Sequence, residues 1–271
     1  MATDAAADNT GADAPIRYAA DNGVAVITLD RPPANALSSA MYTLLAEVAE
    51  RVSAEPSVRV AILTAANPRM FSGGADVKEL ATLDSAGRAA FFEISGNARR
   101  KFAAIPVPII AAVTGACVGA GVSYATRCDY RIASETAFFA MPEIDRGSVA
   151  GGGVDLMSIG VPSGALRMML FSGRRYSAFE AQAMHLVDEV VPPEQLQAVA
   201  ADRAAAIAAK PRNTLIEMKR AIKLMAFNVN WSDEGYVETQ RVSSELMQRA
   251  ETQEGIAAFL EKRAPNYESA S

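Results

Sequence analysis

The chain has 271 residues, half of them hydrophobic, and a formal net charge of -5; this allows one large domain, or one domain with an appendage, around a substantial core. The acidic balance argues against a nucleic-acid surface, which needs clustered Lys and Arg, but leaves room for a small anionic ligand held by a few local basic residues. No apolar run reaches the ~18 residues of a membrane-spanning helix, and the two cysteines, Cys117 and Cys128, fit a reducing compartment better than a disulfide framework.

The start, MATDAAADNTGADAP, is acidic and small-residued and lacks the basic and apolar regions of a signal peptide. It predicts a disordered tail over 1–14 and a cytoplasmic protein. VAVITL (Val24–Leu29) is β-branched and bounded by Asp-Asn-Gly and Asp-Arg-Pro-Pro, a strand between turns. Met41, Leu44, Leu45, Val48 and Val52 follow at helical spacing, with Ser38 or Ser39 available as the cap. VRVAILTAA (Val58–Ala66) and PIIAAV (Pro108–Val113) are nearly continuous apolar runs, the pattern of strands covered on both faces. YRIAS and AFFAM are shorter runs of the same kind. Strand and helix signals thus alternate over the first ~150 residues, which predicts an α/β layer structure.

The remainder reads as mostly helical. SAFE (Ser177–Glu180) is a capping box. LVDEVV is a short strand, separated by Pro192-Pro193 from the helices that follow. Leu215, Met218, Ile222 and Met225 mark one helix face, with Lys219, Arg220 and Lys223 on the others. These helices can pack on the core or on a neighbouring subunit.

Three segments can carry chemistry: FSGGADVKEL (Phe71–Leu80), CVGAGVSYATRCD (Cys117–Asp129) and AFFAMPEIDRGSVAGGG (Ala137–Gly153). The first two hold Gly/Ala-rich turns after buried strands, where backbone N–H groups and a helix dipole are exposed. Two such turns can share one developing negative oxygen, each donor contributing roughly 3–4 kcal/mol in the transition state. For either turn alone, close helix–sheet approach is an equally simple use of the glycines. A dinucleotide fingerprint is poorly matched, because no third glycine follows Gly119-Ala120-Gly121. In the third segment Glu143 leaves an apolar strand end, where partial desolvation would suit a carboxylate to proton transfer; an exposed turn acid is the plainer alternative.

In this order and spacing, the set resembles the crotonase superfamily, the enoyl-CoA hydratase/isomerase family. The matching stretches are the NAL after the first strand, MFSGGADVKEL, PIIAAVTGACVGAG with RCDYRIAS, and MPEIDRG. The likeness runs from GVAVITLDRPPANALSSAM to AFLEKRAPNY. It implies an α/β fold, a crotonase-type ββα spiral core over 15–195 with a C-terminal helical trimerisation region over 196–271, assembled as a homotrimer or a dimer of trimers. It implies chemistry on an acyl-CoA thioester through an enolate held by the backbone N–H groups of Ala75 and Ala120. Coenzyme A enters as part of the substrate, with no permanently bound cofactor. Ala34, Ala36, Leu37, Ala75, Asp76, Val77 and Lys78 match the CoA-binding positions, and Lys262 matches a lysine that reaches CoA phosphates across a subunit interface.

The family's hydratases carry two glutamates. One matches Glu143; the other falls on Ser123, whose hydroxyl cannot act as a carboxylate base. Gly151 matches a backbone position that helps hold the attacking water. The resemblance therefore points to an enoyl-CoA hydratase-type enzyme. An enoyl-CoA isomerase, or a hydratase-lyase with a single glutamate, stays open, as does a non-catalytic acyl-CoA binder. Asp145 is a further candidate acid, and Arg146 reads as structural. His185 reads as a helix C-cap or surface residue, Cys117 as a small apolar residue. Trp231 or Tyr236 can line an acyl pocket. No metal-ligand spacing is present.

Overall fold

The computed structural model describes residues 14–148, 150, 159–227 and 249–267. Gly151, Trp231 and Tyr236, the side chain of Arg146 and, Ala14 apart, the expected tail lie outside the described residues.

Strands β1 (Ile16–Asp21) and β2 (Val24–Leu29) form an antiparallel hairpin. Helix α1 (Ser39–Ala54) starts at Ser38, whose hydroxyl accepts from the Met41 N–H; of the stripe its periodicity predicts, it buries Met41, Leu45, Val48 and Val52 and half-buries Leu44. The chain then winds through repeated turns, each giving one strand to each of two sheets. The pairs are β3 (Val60–Ala65) and β4 (Met70–Ser72), β5 (Ile109–Val113) and β6 (Ala116–Val118), then β7 (Tyr130–Ser134) and β8 (Phe138–Ala140). Between the first two pairs run α2 (Val77–Thr82) and α3 (Ser85–Ala103), and α4 (Ala120–Thr126) follows β6. Further along come α5 (Ser163–Ser172), β9 (Tyr176–Ser177), α6 (Ala178–Ala183), β10 (Glu189–Val191), α7 (Leu196–Ala208), α8 (Arg212–Phe227) and α9 (Ala250–Glu261).

The larger sheet has the order β1-β2-β3-β5-β7-β10 and is parallel from β2 onward; the smaller has the order β4-β6-β8-β9. Every residue of β3 and β5 is buried. One side of the larger sheet meets the main core, while Val60, Ile62, Ile110, Ala112 and Ile132 meet α7 on the other. α7 comes close because its inward positions, Ala200, Ala204 and Ala208, are small and four residues apart. The capping box at Ser177 and Glu180 is present at the start of α6. Among the described residues no helix is long and apolar enough to cross a membrane.

Helix α8 turns its faces opposite to the simplest reading of its periodicity. Met218 and Ile222 are more than half exposed, while Lys219 is buried. The Lys219 ammonium donates to the Val107 carbonyl (2.8 Å) and to Asp129 Oδ2 (2.7 Å), and the same oxygen accepts the Ile109 N–H. The basic residue is thus the inward anchor, and Met218 and Ile222 face outward on the single chain.

Candidate active site

Three short strands bring the candidate segments together. β4 is parallel to β6, and β6 to β8, so their carboxyl ends lie side by side. The chain leaves β4 through Gly73-Gly74-Ala75, leaves β6 through Gly119-Ala120, and leaves β8 through Met141 into a 3-10 turn, Pro142–Arg146, that carries Glu143. Glu143 therefore sits in a tight turn rather than on the strand end expected from sequence, because Pro142 starts the turn two residues after β8 stops.

Gly74 (φ +86°) and Gly119 (φ +53°) occupy the left-handed region. Both also need the space. A Cβ on Gly74 would lie 2.9 Å from the Val118 carbonyl oxygen and 3.3 Å from the Ala120 nitrogen; one on Gly119 would lie 2.8 Å from Glu143 Oε1. The first loop thus touches the second, and the second touches the glutamate. Gly121 serves the plainer purpose, since a Cβ there would meet Ser72 Cβ at 2.9 Å.

Residues 34–37 run beside 73–76. Gly73 N–H donates to Ala34 O (2.8 Å), Leu37 N–H to Gly74 O (2.8 Å) and Asp76 N–H to Leu37 O (3.0 Å). This bridge ties the residues on either side of Ala75 and passes over its own N–H, which has no backbone acceptor among the described residues. Ala120 is the first residue of α4, where an N–H has no acceptor within the helix. Both alanines line the same cavity.

Asn35, Ser72, Asp76 and Arg31 hold the loop. Asn35 is buried at φ +47°; its amide donates to the Met70 (3.0 Å) and Phe71 (3.1 Å) carbonyls and its oxygen accepts the Arg31 N–H. Ser72 Oγ donates to Asn35 O and accepts the Gly74 N–H. Asp76 caps α2 through the Lys78 and Glu79 N–H groups and pairs with Arg31 at 2.8 Å. Burial alone would raise the Asp76 carboxyl, but the Arg31 and backbone hydrogen bonds outweigh it and hold it below its usual range. The carboxylate that the resemblance assigns to CoA is thus already committed to the loop. Asn35 had a sequence signal, since asparagine tolerates positive φ in a turn.

The cavity has a volume of about 410 Å³. Gly73, Gly74, Ala75 and Val77 line it from the first loop, Gly119, Ala120 and Ser123 from the second, and Glu143 and Ser148 from the third. Ser123 is 2% exposed, one turn into α4. Tyr42 of α1 closes another side, its phenol pushed up to about 12 by burial and, in smaller part, by the Glu143 and Glu79 carboxylates, against the lowering effect of Arg99. Beside Tyr42, whose ring meets the Phe91 ring edge-on at 5.6 Å, the wall is a stripe of α3: Arg88, Phe91, Phe92, Ser95 and Arg99. Sequence reasoning missed this wall and Tyr42; its readable signal was the three- and four-residue spacing of aromatic and basic residues along SAGRAAFFEISGNARR.

The other candidates sit elsewhere. Asp145 is exposed and faces Gly173, where an added Cβ would be 3.1 Å from Oδ2. His185 is exposed with φ +60°, in the turn after α6. Cys117 and Cys128 are buried and unbridged, and burial pushes the Cys117 thiol well above its usual range, as expected of an inert apolar residue. Lys78 is exposed beside the first loop, and Lys262 is exposed just past α9; neither lines the cavity.

The family model for enoyl-CoA hydratase/isomerase matches residues 19–270. A probable enoyl-CoA hydratase of Mycobacterium leprae is 36% identical over 248 residues, which cover 90% of this chain and 94% of that protein. The crystal structure of an enoyl-CoA hydratase from Bacillus anthracis superposes with a TM-score of 0.88 at 29% identity, covering 93% of this chain and 98% of the other. That of an enoyl-CoA hydratase from Mycobacterium smegmatis gives 0.87 at 30% identity, covering 94% and 99%. Two mostly parallel sheets, a row of neighbouring strand exits and a match spanning nearly the whole sequence agree: the chain belongs to the enoyl-CoA hydratase/isomerase family.

Proposed function

We propose that the protein is an enoyl-CoA hydratase-type enzyme acting on an acyl-CoA thioester through an enolate. The observation that carries this is the contact of the three strand exits around one cavity, with Gly119 lying between the Gly74 loop and the Glu143 carboxylate. The Ala75 and Ala120 N–H groups receive the thioester oxygen. As charge builds there, the two backbone donors stabilise it by roughly 3–4 kcal/mol each.

Glu143 moves the proton. In hydration its carboxylate takes a proton from water as the water oxygen bonds to the β-carbon, and electrons pass to the thioester oxygen. The resulting carboxylic acid returns the proton to the α-carbon, and the carbonyl re-forms. Ser123 donates to or accepts from that water and does not take its proton; Gly151 is proposed to help hold the same water. Coenzyme A is bound as part of the substrate along Ala34, Ala36 and Leu37 and past Val77 and Lys78, with Asp76 fixing the loop.

The proposed assembly is a homotrimer or a dimer of trimers, in which Lys262 of one protomer serves the CoA phosphates of the next. The exposed Met218 and Ile222 of α8 and the absence of Lys262 from the cavity lining support it.

A second reading is a double-bond isomerase. Glu143 is the one carboxylate lining the cavity among the described residues, and one carboxylate suffices to move a proton between carbons. Incubation with crotonyl-CoA and, separately, 3-enoyl-CoA in deuterated water decides. A deuterated 3-hydroxyacyl product from crotonyl-CoA supports hydration; 2-enoyl product from 3-enoyl-CoA without hydration supports isomerisation. Binding without exchange or product on either would show a non-catalytic acyl-CoA binder.

A further inference from the structure

The α3 wall of the cavity does not match a plain hydrocarbon chain. Phe91 and Phe92 give it an apolar centre, but the next turns on the same stripe carry Ser95 and then Arg99. Arg99 is half-buried and, among the described residues, makes no ion pair. An alkyl chain laid against such a guanidinium would strip its water and return nothing. The Arg99 charge is felt by two phenols: it opposes the rise that burial imposes on both Tyr42 and Tyr124. Tyr42 lines the cavity and keeps its proton, so it is a second donor on the Arg99 side. A guanidinium with a neutral phenol near it is suited to a carboxylate, which accepts two parallel N–H bonds from arginine. Arg88 lies three helical turns earlier, about 16 Å along α3; it is exposed, with its Nε donating to Leu80 O, and so belongs to the rim.

We infer that the acyl pocket selects acyl groups whose far end carries a carboxylate, with Arg99 as the specificity-determining residue. This rests on the acyl-CoA reading above and adds the class of acyl group. The thioester end meets the strand exits, the carbon chain lies along Phe91 and Phe92, and the terminal carboxylate meets Arg99 and the Tyr42 hydroxyl. The shared chemistry, an anion on a guanidinium, has a second source in the phosphates of CoA, which the test separates.

The test is calorimetric binding of saturated thioesters to the full chain, so that hydration or isomerisation does not intervene. Glutaryl-, adipoyl- and suberoyl-CoA are compared with pentanoyl-, hexanoyl- and octanoyl-CoA, and with free CoA. The native protein is expected to bind at least one ω-carboxyl thioester roughly 10- to 100-fold more tightly than its unsubstituted partner. Arg99→Leu should remove that preference and Arg99→Lys retain part of it. Equal or weaker binding of every ω-carboxyl thioester by the native protein overturns the inference without needing a variant. An equal loss on all ligands in Arg99→Leu, free CoA included, also overturns it, and assigns Arg99 to the CoA phosphates or to the fold. If unsubstituted thioesters bind and ω-carboxyl ones do not, only this inference fails. If no thioester and no CoA binds, the acyl-CoA reading fails with it.

Discussion

Gly119 and Glu143 face each other so closely that a methyl group on the glycine would come within 2.8 Å of the Glu143 Oε1 oxygen. Gly119→Ala therefore meets two obstacles, the displaced carboxylate and the left-handed φ of +53°. A destabilisation of about 1–3 kcal/mol is expected from the backbone, measurable as a lowered denaturation midpoint. Turnover should fall further than stability does, because the carboxylate must move. A variant that folds and keeps native kcat would show that the position of Glu143 is not critical.

Glu143→Gln keeps the shape and removes the proton carrier. Turnover of the preferred enoyl-CoA should drop by about 10²–10⁴-fold, with acyl-CoA affinity largely kept. Ser123→Ala should cost far less, about tenfold, as expected for one hydrogen bond to a neutral water. Steady-state kinetics on both variants check the ranking; an unchanged rate in Glu143→Gln removes the residue from the mechanism.

Asn35→Ala deletes the amide that serves the Met70 and Phe71 carbonyls and places alanine at φ +47°. A loss of about 2–3 kcal/mol is expected from buried carbonyls left without their donor. Chemical denaturation measures it. Because Ser72 and Gly74 are tied to the same loop, activity should fall even where the variant stays folded.

The Asp76 carboxyl is held below its usual range in the folded chain. Its interactions therefore favour the fold above the ordinary carboxylate pKa of about 4, and the contribution is lost as pH falls through the lower folded value. Asp76→Asn should lower the thermal midpoint at neutral pH and flatten its fall below about pH 4. Identical acid profiles for the two proteins would contradict the assignment.

Lys219→Met should destabilise by about 2–4 kcal/mol. It leaves the Val107 carbonyl without its donor and Asp129 without its counter-charge, and Asp129 is partly solvated, which keeps the cost below that of a fully buried pair. Urea midpoints of the two proteins give the comparison.

The buried strands were legible because Val60–Ala65 and Ile109–Val113 are apolar on both faces, and α1 because its stripe and Ser38 cap are local signals. The three candidate segments were legible as motifs. Their mutual contact was not, because it depends on the side-by-side order of β4, β6 and β8. The α8 faces were unreadable for a related reason: what makes Lys219 the inward residue is Asp129, on a distant part of the chain. Tyr42 and Arg99 reach the cavity from α1 and α3; the spacing along α3 marks a shared face, but what that face meets depends on the packing of distant parts of the chain.

The neighbouring exits of β4 and β6 also divide the labour between main chain and side chain. On the proposed reading, the groups that bear the developing charge are amide hydrogens, which exchanging one small side chain for another at 75 or 120 does not remove. The identity of the reaction is then left to a few side chains at the adjoining exits, chiefly those at 123 and 143, and the identity of the substrate to the α3 wall. Such a protein can change what it makes, or what it accepts, by point substitution while its electrostatic machinery stays in place. The same arrangement offers a designer separate controls over rate, product and acyl group.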